Sequence, residues 1–311
     1  MALTDPGLSF VRLPEPGSIF ARRAVRLGEL AEAQVSLRGY LRLLSALVEI
    51  QRDLATDRAR LGESSAECSL VGLDDPTAER SLEVALGVPM GWQETFREIC
   101  VRWPLSASET RSQLPMAEQW ETFLALLRRG QTASEYELRS WVHSFLVGKL
   151  AELDSGLATV MAAALQVHWM IAAARQEGHA RFLEPLPVPA YRCPICGFFP
   201  LASTIEAGAP VPGVRYVHCA LCGTAWHRLR ARCIYCGSEK DLAYYGLDGR
   251  ETAVKAETCS TCGCYLKVLY RDKHPRLDPL ADDLATLSLD LLLAEQGYRR
   301  FGFNPFLIPG S

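Results

Sequence analysis

The chain has no surplus of positive charge: 33 Lys and Arg stand against 36 Asp and Glu, giving a net charge of -3. The broad electrostatic footprint of a nucleic-acid-binding protein is therefore missing. Its first residues, MALTDPGLSF, contain neither a basic segment nor a long apolar run. No secretory signal is expected there, and a reducing cytoplasm is the expected compartment. No phosphate-cradling glycine loop and no Ser-His-Asp arrangement stands out. Cysteine is scarce in the first 190 residues, where only Cys68 and Cys100 occur, both expected as core thiols. Charge is absent from one stretch of eighteen residues, Leu157 to Ala174. That length lies near the lower limit for a membrane span. Gln166 and His168 interrupt it, and Asp154 and Arg175 bracket it, so a buried core helix is expected and no membrane insertion.

What is present is a sizeable apolar fraction, 49% of 311 residues, enough for two ordinary domains. Apolar spacing over the first 185 residues predicts an antiparallel helical bundle. Leu30, Leu37, Leu41, Leu44 and Val48 form one stripe over a single segment from about Leu27 to Leu54. Pro115 fits the first turn of a second helix, whose Trp120, Phe123, Leu124 and Leu127 share a face and which Gly130 would end. Leu138, Trp141, Val142, Phe145 and Val147 mark a third. The alanine-rich uncharged stretch is the fourth, running to about Phe182. The sequence EPLPVPAYR (Glu184 to Arg192) then reads as an extended linker. Beyond it helical periodicity vanishes, and Val214 to Val217 and Tyr265 to Tyr270 suggest strands. One last helix is capped by Asp278, opens with Pro279, ends near Gly297, and aligns Leu280, Leu284, Leu287 and Leu291. The expected units are a helical domain over 1–185, a small β-rich module over 186–274, and a C-terminal helix and tail over 275–311.

The other nine of the 11 cysteines fall between Cys193 and Cys264, and eight of them form four C-x-x-C pairs. The pairs are Cys193/Cys196, Cys219/Cys222, Cys233/Cys236 and Cys259/Cys262. Twenty-two residues separate the first pair from the second and also the third from the fourth, so each cysteine recurs forty residues later. This spacing indicates an internal duplication. A tight C-x-x-C turn lets both thiolates face one ion, and the glycine after each pair (Gly197, Gly223, Gly237, Gly263) relieves the backbone at its end. Two such turns facing each other make a tetrahedral four-sulfur site. The duplication favours one site from Cys193, Cys196, Cys219 and Cys222 and another from Cys233, Cys236, Cys259 and Cys262. A cross-braced pairing of the first turn with the third is the alternative. Cys264 is left over, and a packed thiol is expected there. Ligand type alone does not separate zinc from iron, although chemistry alone favours structural zinc. Either ion would be saturated by four thiolates, which argues against hydrolytic catalysis.

Other candidates carry less. His218 and His227 read as exposed strand residues rather than as groups supporting the metal. Arg228, Arg230 and Arg232 alternate, so a strand would project them on one face beside Trp226. That patch is a candidate for partner binding through Trp226, Arg228 and Arg230, or a solvated edge offsetting the thiolate charge.

The set CPICG, CALCG, CIYCG and CSTCG, followed by the tail ADDLATLSLDLLLAEQGYRRFGFNPFL that ends at Leu307, resembles the formate dehydrogenase accessory protein family (FdhE). The resemblance implies a cytoplasmic maturation factor that contacts the catalytic subunit of respiratory formate dehydrogenases. It also implies two rubredoxin-like iron sites on the eight paired cysteines and no catalytic residues. Iron, two ions per chain, thereby replaces zinc as the expected metal. Two further functions stay open: a rubredoxin-like electron-transfer protein, and a zinc-ribbon nucleic-acid binder.

Overall fold

A computed structural model describes residues 9–61, 91–106, 117–146, 149, 153–176, 191–208, 212–247 and 252–307. Cys68, Pro115, Val147, Phe182 and the proline-rich segment 184–190 lie outside the described residues. The short strand β1 (Val11–Arg12) precedes six helices: α1 (Pro16–Ala33), α2 (Arg38–Leu61), α3 (Trp92–Ser106), α4 (Ala117–Thr132), α5 (Glu135–Leu146) and α6 (Ser155–Ala174). Strands β2 (Pro200–Ile205), β3 (Arg215–Cys219), β4 (Ala225–Arg228), β5 (Leu242–Tyr245), β6 (Val254–Cys259) and β7 (Cys264–Tyr270) follow. Helices α7 (Pro279–Ala285) and α8 (Leu287–Glu295) and strand β8 (Arg299–Arg300) complete the described chain. A helical bundle followed by a β-rich four-cysteine module is thus the architecture.

Helix α6 is the pivot of the bundle. Its residues are apolar on every side, and Leu157 through Ala173 are all buried. A helix with no polar face must be covered all round. Helices α1 to α5 cover part of it. The remainder meets the cysteine module, so one continuous core runs from Val11 to Phe306 and contains Cys193, Cys196, Cys219 and Cys222. Asp154 caps the helix by accepting from the Gly156 and Leu157 amides, and the helix stops at Ala174 rather than near Phe182. Among the described residues one helix is long and apolar enough to cross a membrane, and it is this one, enclosed by protein.

Several elements differ from expectation. The stripe from Leu30 to Val48 is not on one helix. The chain breaks at Gln34, which is extended (φ -121°, ψ 90°), and α2 folds back on α1. No glycine or proline marks this break. Gln34 instead donates its side-chain amide to the Ala285 carbonyl at 2.9 Å, a contact supplied by the C-terminal region. Helix α3 was not expected, although Trp92, Phe96, Ile99 and Trp103 bury one face of it. Gly130 does not end α4, which continues to Thr132. A Cβ there would lie 2.8 Å from Cys100 Sγ and 3.0 Å from Leu157 Cδ2, so close helix approach is its role. The C-terminal helix is two, divided at Thr286 (φ -113°, ψ 31°). After the break the buried apolar side chains are Leu289 and Leu293, and Leu291 is 61% exposed.

The strands form one eight-stranded sheet in the order β1-β4-β3-β2-β7-β6-β5, with β8 beside β7. The duplication is visible in it. Arg215 faces Arg228 across β3/β4, and forty residues on Lys255 faces Val268 across β6/β7. The two copies meet where β2 pairs β7 in parallel. Val11 pairs with Trp226, so the N-terminal strand closes the sheet's first edge.

The C-terminal tail is held by buried charge. Lys267 Nζ on β7 lies 2.6 Å from Asp290 Oδ2 and 3.2 Å from Asp283 Oδ1, and it donates to the Thr286 carbonyl at 3.1 Å. Arg300 reaches the same two carboxylates at 2.6 and 2.8 Å, and Asn304 donates to Asp283 at 2.7 Å. Two cations thus match two carboxylates away from water. Burial pushes Asp283 up, but Lys267 and Arg300 win and hold it below the ordinary 3.8. Its contribution to stability is therefore present above that range and lost as pH falls through it. Lys267→Met should destabilise the protein by on the order of 3–5 kcal/mol, because it leaves buried carboxylates short of a cation. Urea unfolding of that variant at neutral pH measures this, and a midpoint equal to wild type contradicts it.

Candidate metal centres

Cys219/Cys222 and Cys259/Cys262 lie in the β3–β4 and β6–β7 hairpin turns, and Cys193/Cys196 and Cys233/Cys236 lie in the turns that precede β2 and β5. In the first copy Cys219 ends β3, and the chain returns as β4. The amides of Leu221 and Cys222 donate to Cys219 Sγ at 3.4 and 3.5 Å. Gly197 N donates to the Cys193 carbonyl at 2.9 Å, and Gly237 N to the Cys233 carbonyl at 3.0 Å, the same turn in both copies. All four following glycines have positive φ, from 68° to 75°. A side chain is strained in that conformation, which is why glycine recurs there.

The sequence-derived ligand sets come together without cross-bracing. Cys193, Cys196, Cys219 and Cys222 form one cluster, and Cys233, Cys236, Cys259 and Cys262 the other, with sulfurs in each within 4.8 Å of one another. Facing sulfurs are 3.5 and 3.4 Å apart in the first cluster and 3.8 and 3.7 Å in the second. A disulfide needs about 2.05 Å. A tetrahedral ion with metal–sulfur bonds of about 2.3 Å sets its sulfurs roughly 3.8 Å apart. The donor set and spacing therefore fit two four-coordinate metal ions. No position on such an ion is left for a substrate.

The two centres differ in their surroundings. In the first, all four cysteines are at most 3% exposed, and Ile195, Ala220 and Leu221 inside the turns are buried as well. Gln166 of α6 donates to the Ala220 carbonyl at 2.8 Å, and Gln51 of α2 donates to Gln166 at 3.0 Å. A Cβ on Gly223 would lie 3.1 Å from Met170 Cε of α6, so this turn sits directly on the bundle. In the second centre Cys236 is exposed and Cys262 half-buried, and the turn residues Tyr235, Ser260 and Thr261 face solvent. A Cβ on Gly237 or Gly263 would meet nothing within 4 Å.

Burial and the neighbouring sulfurs raise the Cys196 thiol well above its ordinary value, and burial pushes Cys233 up to about 11. Metal binding must therefore displace protons from these thiols. An arginine accompanies each cluster at the same repeat position. Arg192 donates to the Gly197 carbonyl at 3.3 Å and Arg232 to the Gly237 carbonyl at 3.1 Å. Both bring positive charge beside thiolate ligands. Arg232 was expected only on a strand face and Arg192 carried no expectation, although the two stand forty residues apart and so occupy one position of the repeat.

Cys264 begins β7 with its Sγ 3.6 Å from the Cys262 carbonyl, outside both clusters, and Cys100 is a buried core thiol. The remaining candidates need correction. Trp226 is 0% exposed and packs in the core, so it is not a surface anchor. Strand β4 ends at Arg228, and Ala231 has a positive φ of 54°, so Arg228, Arg230 and Arg232 do not share a strand face. Arg228 is half-buried and Arg230 exposed. His218 is not an exposed strand residue either: its Nε2 is 2.8 Å from Thr204 Oγ1, and burial and then Arg271, Arg12 and Arg23 hold it well below 6.5. His227 is half-buried, edge-on to Phe10 at 5.4 Å.

Comparison with known proteins covers the whole chain. The family descriptions "FdhE, N-terminal", "FdhE, central domain" and "FdhE, C-terminal domain" match residues 8–183, 192–230 and 231–307. A curated FdhE homolog of Serratia proteamaculans is 35% identical over 310 residues, covering 100% of this chain and 94% of its own. One of Citrobacter koseri is 33% identical over 313 residues, covering 98% of this chain and 92% of its own. The crystal structure of the FdhE protein from Pseudomonas aeruginosa superposes with a TM-score of 0.70 at 30% identity, covering 97% of this chain and 100% of that one.

The unequal burial has a kinetic consequence. Challenge of the metal-loaded protein with a chelator should release metal in two phases of equal amplitude. Cys236→Ser should remove the fast phase and about one ion per chain, and leave the slow phase intact. A single phase for wild type, or loss of the slow phase in this variant, contradicts the assignment.

Proposed function

The chain belongs to the FdhE family, and from that premise we propose that it is a cytoplasmic accessory protein that binds the catalytic subunit of formate dehydrogenase and supports its maturation. The observation that carries this reading is the match along the full chain, including the helical half as well as both cysteine clusters. A free-standing zinc ribbon or rubredoxin needs only the clusters. The proposed metal is iron, two ions per chain, in tetrathiolate sites that leave no place for a substrate. The protein's role is then recognition, with no catalytic residues of its own.

The proposed contact surface runs along the segment from Leu229 to Tyr235 that leads into the second centre. Leu229 is 56% exposed and Tyr235 44% exposed, and Arg230 stands between them in sequence. Exposed aromatic and arginine side chains are a composition that protein interfaces favour. The half-buried Arg228 lies at its border. A second reading, electron transfer, draws support from the exposed Cys236, because electron exchange needs a short path from the ion to the surface.

The test is a strain lacking this protein. Its formate dehydrogenase activity should fall to near background and return with the wild-type gene. Capture of the catalytic subunit by the triple variant L229A/R230A/Y235A should fall several-fold. The protein purified without air should carry two irons and absorb visible light. Normal activity in the deletion strain refutes the maturation role. Zinc in place of iron refutes the metal assignment alone. Iron that cycles reversibly at an accessible potential, with normal activity in the deletion strain, favours electron transfer.

A further inference from the structure

A cleft of about 310 Å³ lies between β1, the first turns of α1 and the face of β3, and it reaches Cys219 of the first metal centre. Four arginines line it, Arg12, Arg22, Arg23 and Arg271, against three carboxylates, Glu15, Glu206 and Asp278. Two of those carboxylates are already engaged. Arg23 Nε is 3.2 Å from Asp278, and Arg271 Nη1 is 3.2 Å from Glu206. Only Glu15, an exposed residue on the rim, remains against Arg12 and Arg22.

Those two arginines are displayed rather than spent. The Arg12 guanidinium is 3.8 Å from the centre of the Tyr216 ring, which positions it, and Arg22 Nη1 donates to Ser18 Oγ at 2.7 Å. Among the described residues neither forms an ion pair. Arg23 provides an independent sign. It is 4% exposed, yet its Nη1 is buried without a hydrogen-bond partner. Buried donors in native proteins are almost always matched, so an unmatched guanidinium nitrogen in the wall of a cleft points to an acceptor that the protein does not provide. Guanidinium groups converging on one space suit an oxyanion, because their paired N–H donors match two oxygens of a phosphate or carboxylate.

We propose that this cleft binds a compact organic anion, whose phosphate or carboxylate group is held by Arg12, Arg22 and Arg23. The cleft volume is at the lower end of small-molecule sites, which limits the ligand to a compact one. The site is separate from the two tetrathiolate centres, although it abuts Cys219, and it does not depend on the identity of the partner protein.

Isothermal titration of the metal-loaded full chain, at constant ionic strength set with chloride, tests this with three probes: inorganic phosphate, glycerol phosphate and acetate. At least one should bind saturably, one per chain. The tighter of phosphate and acetate identifies the group the cleft selects. The double variant R12Q/R22Q, altered only at exposed side chains, should keep the wild-type unfolding midpoint. Its affinity should fall by at least about tenfold, the scale of losing one charge-assisted contact. An R139Q control, on the exposed face of α5, should bind as wild type does. No saturable binding with any probe overturns the proposal. So does binding by R12Q/R22Q equal to wild type, or an equal loss in R139Q.

Discussion

The structure depends on one constraint: helix α6 has no polar face, so something must cover every side of it. Among the described residues, helices α1 to α5 cover part of it, and the first cysteine cluster joins the same core. Gln166 shows how the two are joined. It is 1% exposed in the middle of α6, where an unmatched amide would be costly, and its partners are Gln51 of the bundle and the carbonyl of Ala220 inside a metal-binding turn. The turn that presents this carbonyl is the one whose Leu221 and Cys222 amides donate to Cys219 Sγ. The metal centre and the bundle therefore support each other, and the first copy of the duplicated unit is part of the core.

The second copy was released from that constraint. It keeps the same hairpins, glycines and accompanying arginine, but among the described residues a Cβ on Gly237 or Gly263 would meet nothing within 4 Å. Its contacts come from the tail instead. Phe301 lies tilted against Tyr235 at 4.7 Å and meets Tyr191 edge-on at 5.5 Å, so one aromatic side chain from the tail bridges the approaches to both centres. Lys267 anchors the same tail through Asp283 and Asp290. The duplication thus produced one centre that holds the fold together and one at its surface. A surface centre is better suited to contact with another macromolecule than a buried one.

Much of this was legible in the sequence, and the reasons are physical. Eight cysteines at a forty-residue repeat favour the two ligand sets found, because a duplicated unit is expected to close its own site, although a cross-braced pairing stayed open in the sequence. The uncharged stretch from Leu157 to Ala174 fixes the central helix. What the sequence concealed depends on tertiary contacts. The break at Gln34 has no local signal, since the Ala285 carbonyl lies 251 residues away. Trp226 looked like a surface anchor because its neighbours are charged, yet its cross-strand partner is Val11, far off in the chain. One signal was present but unread. The first centre's turns hold Pro-Ile and Ala-Leu, and the second's hold Ile-Tyr and Ser-Thr, so polarity inside the turns already separated the buried centre from the exposed one.

The central claim is that both centres are closed four-sulfur sites of a duplicated unit, which is what removes substrate chemistry from the metals. X-ray absorption at the metal edge of fully loaded protein measures it directly. The expected result is a shell of four sulfurs and no nitrogen or oxygen, at about 2.3 Å for zinc. A shell that needs an oxygen or nitrogen ligand, or averages fewer than four sulfurs per ion, contradicts it.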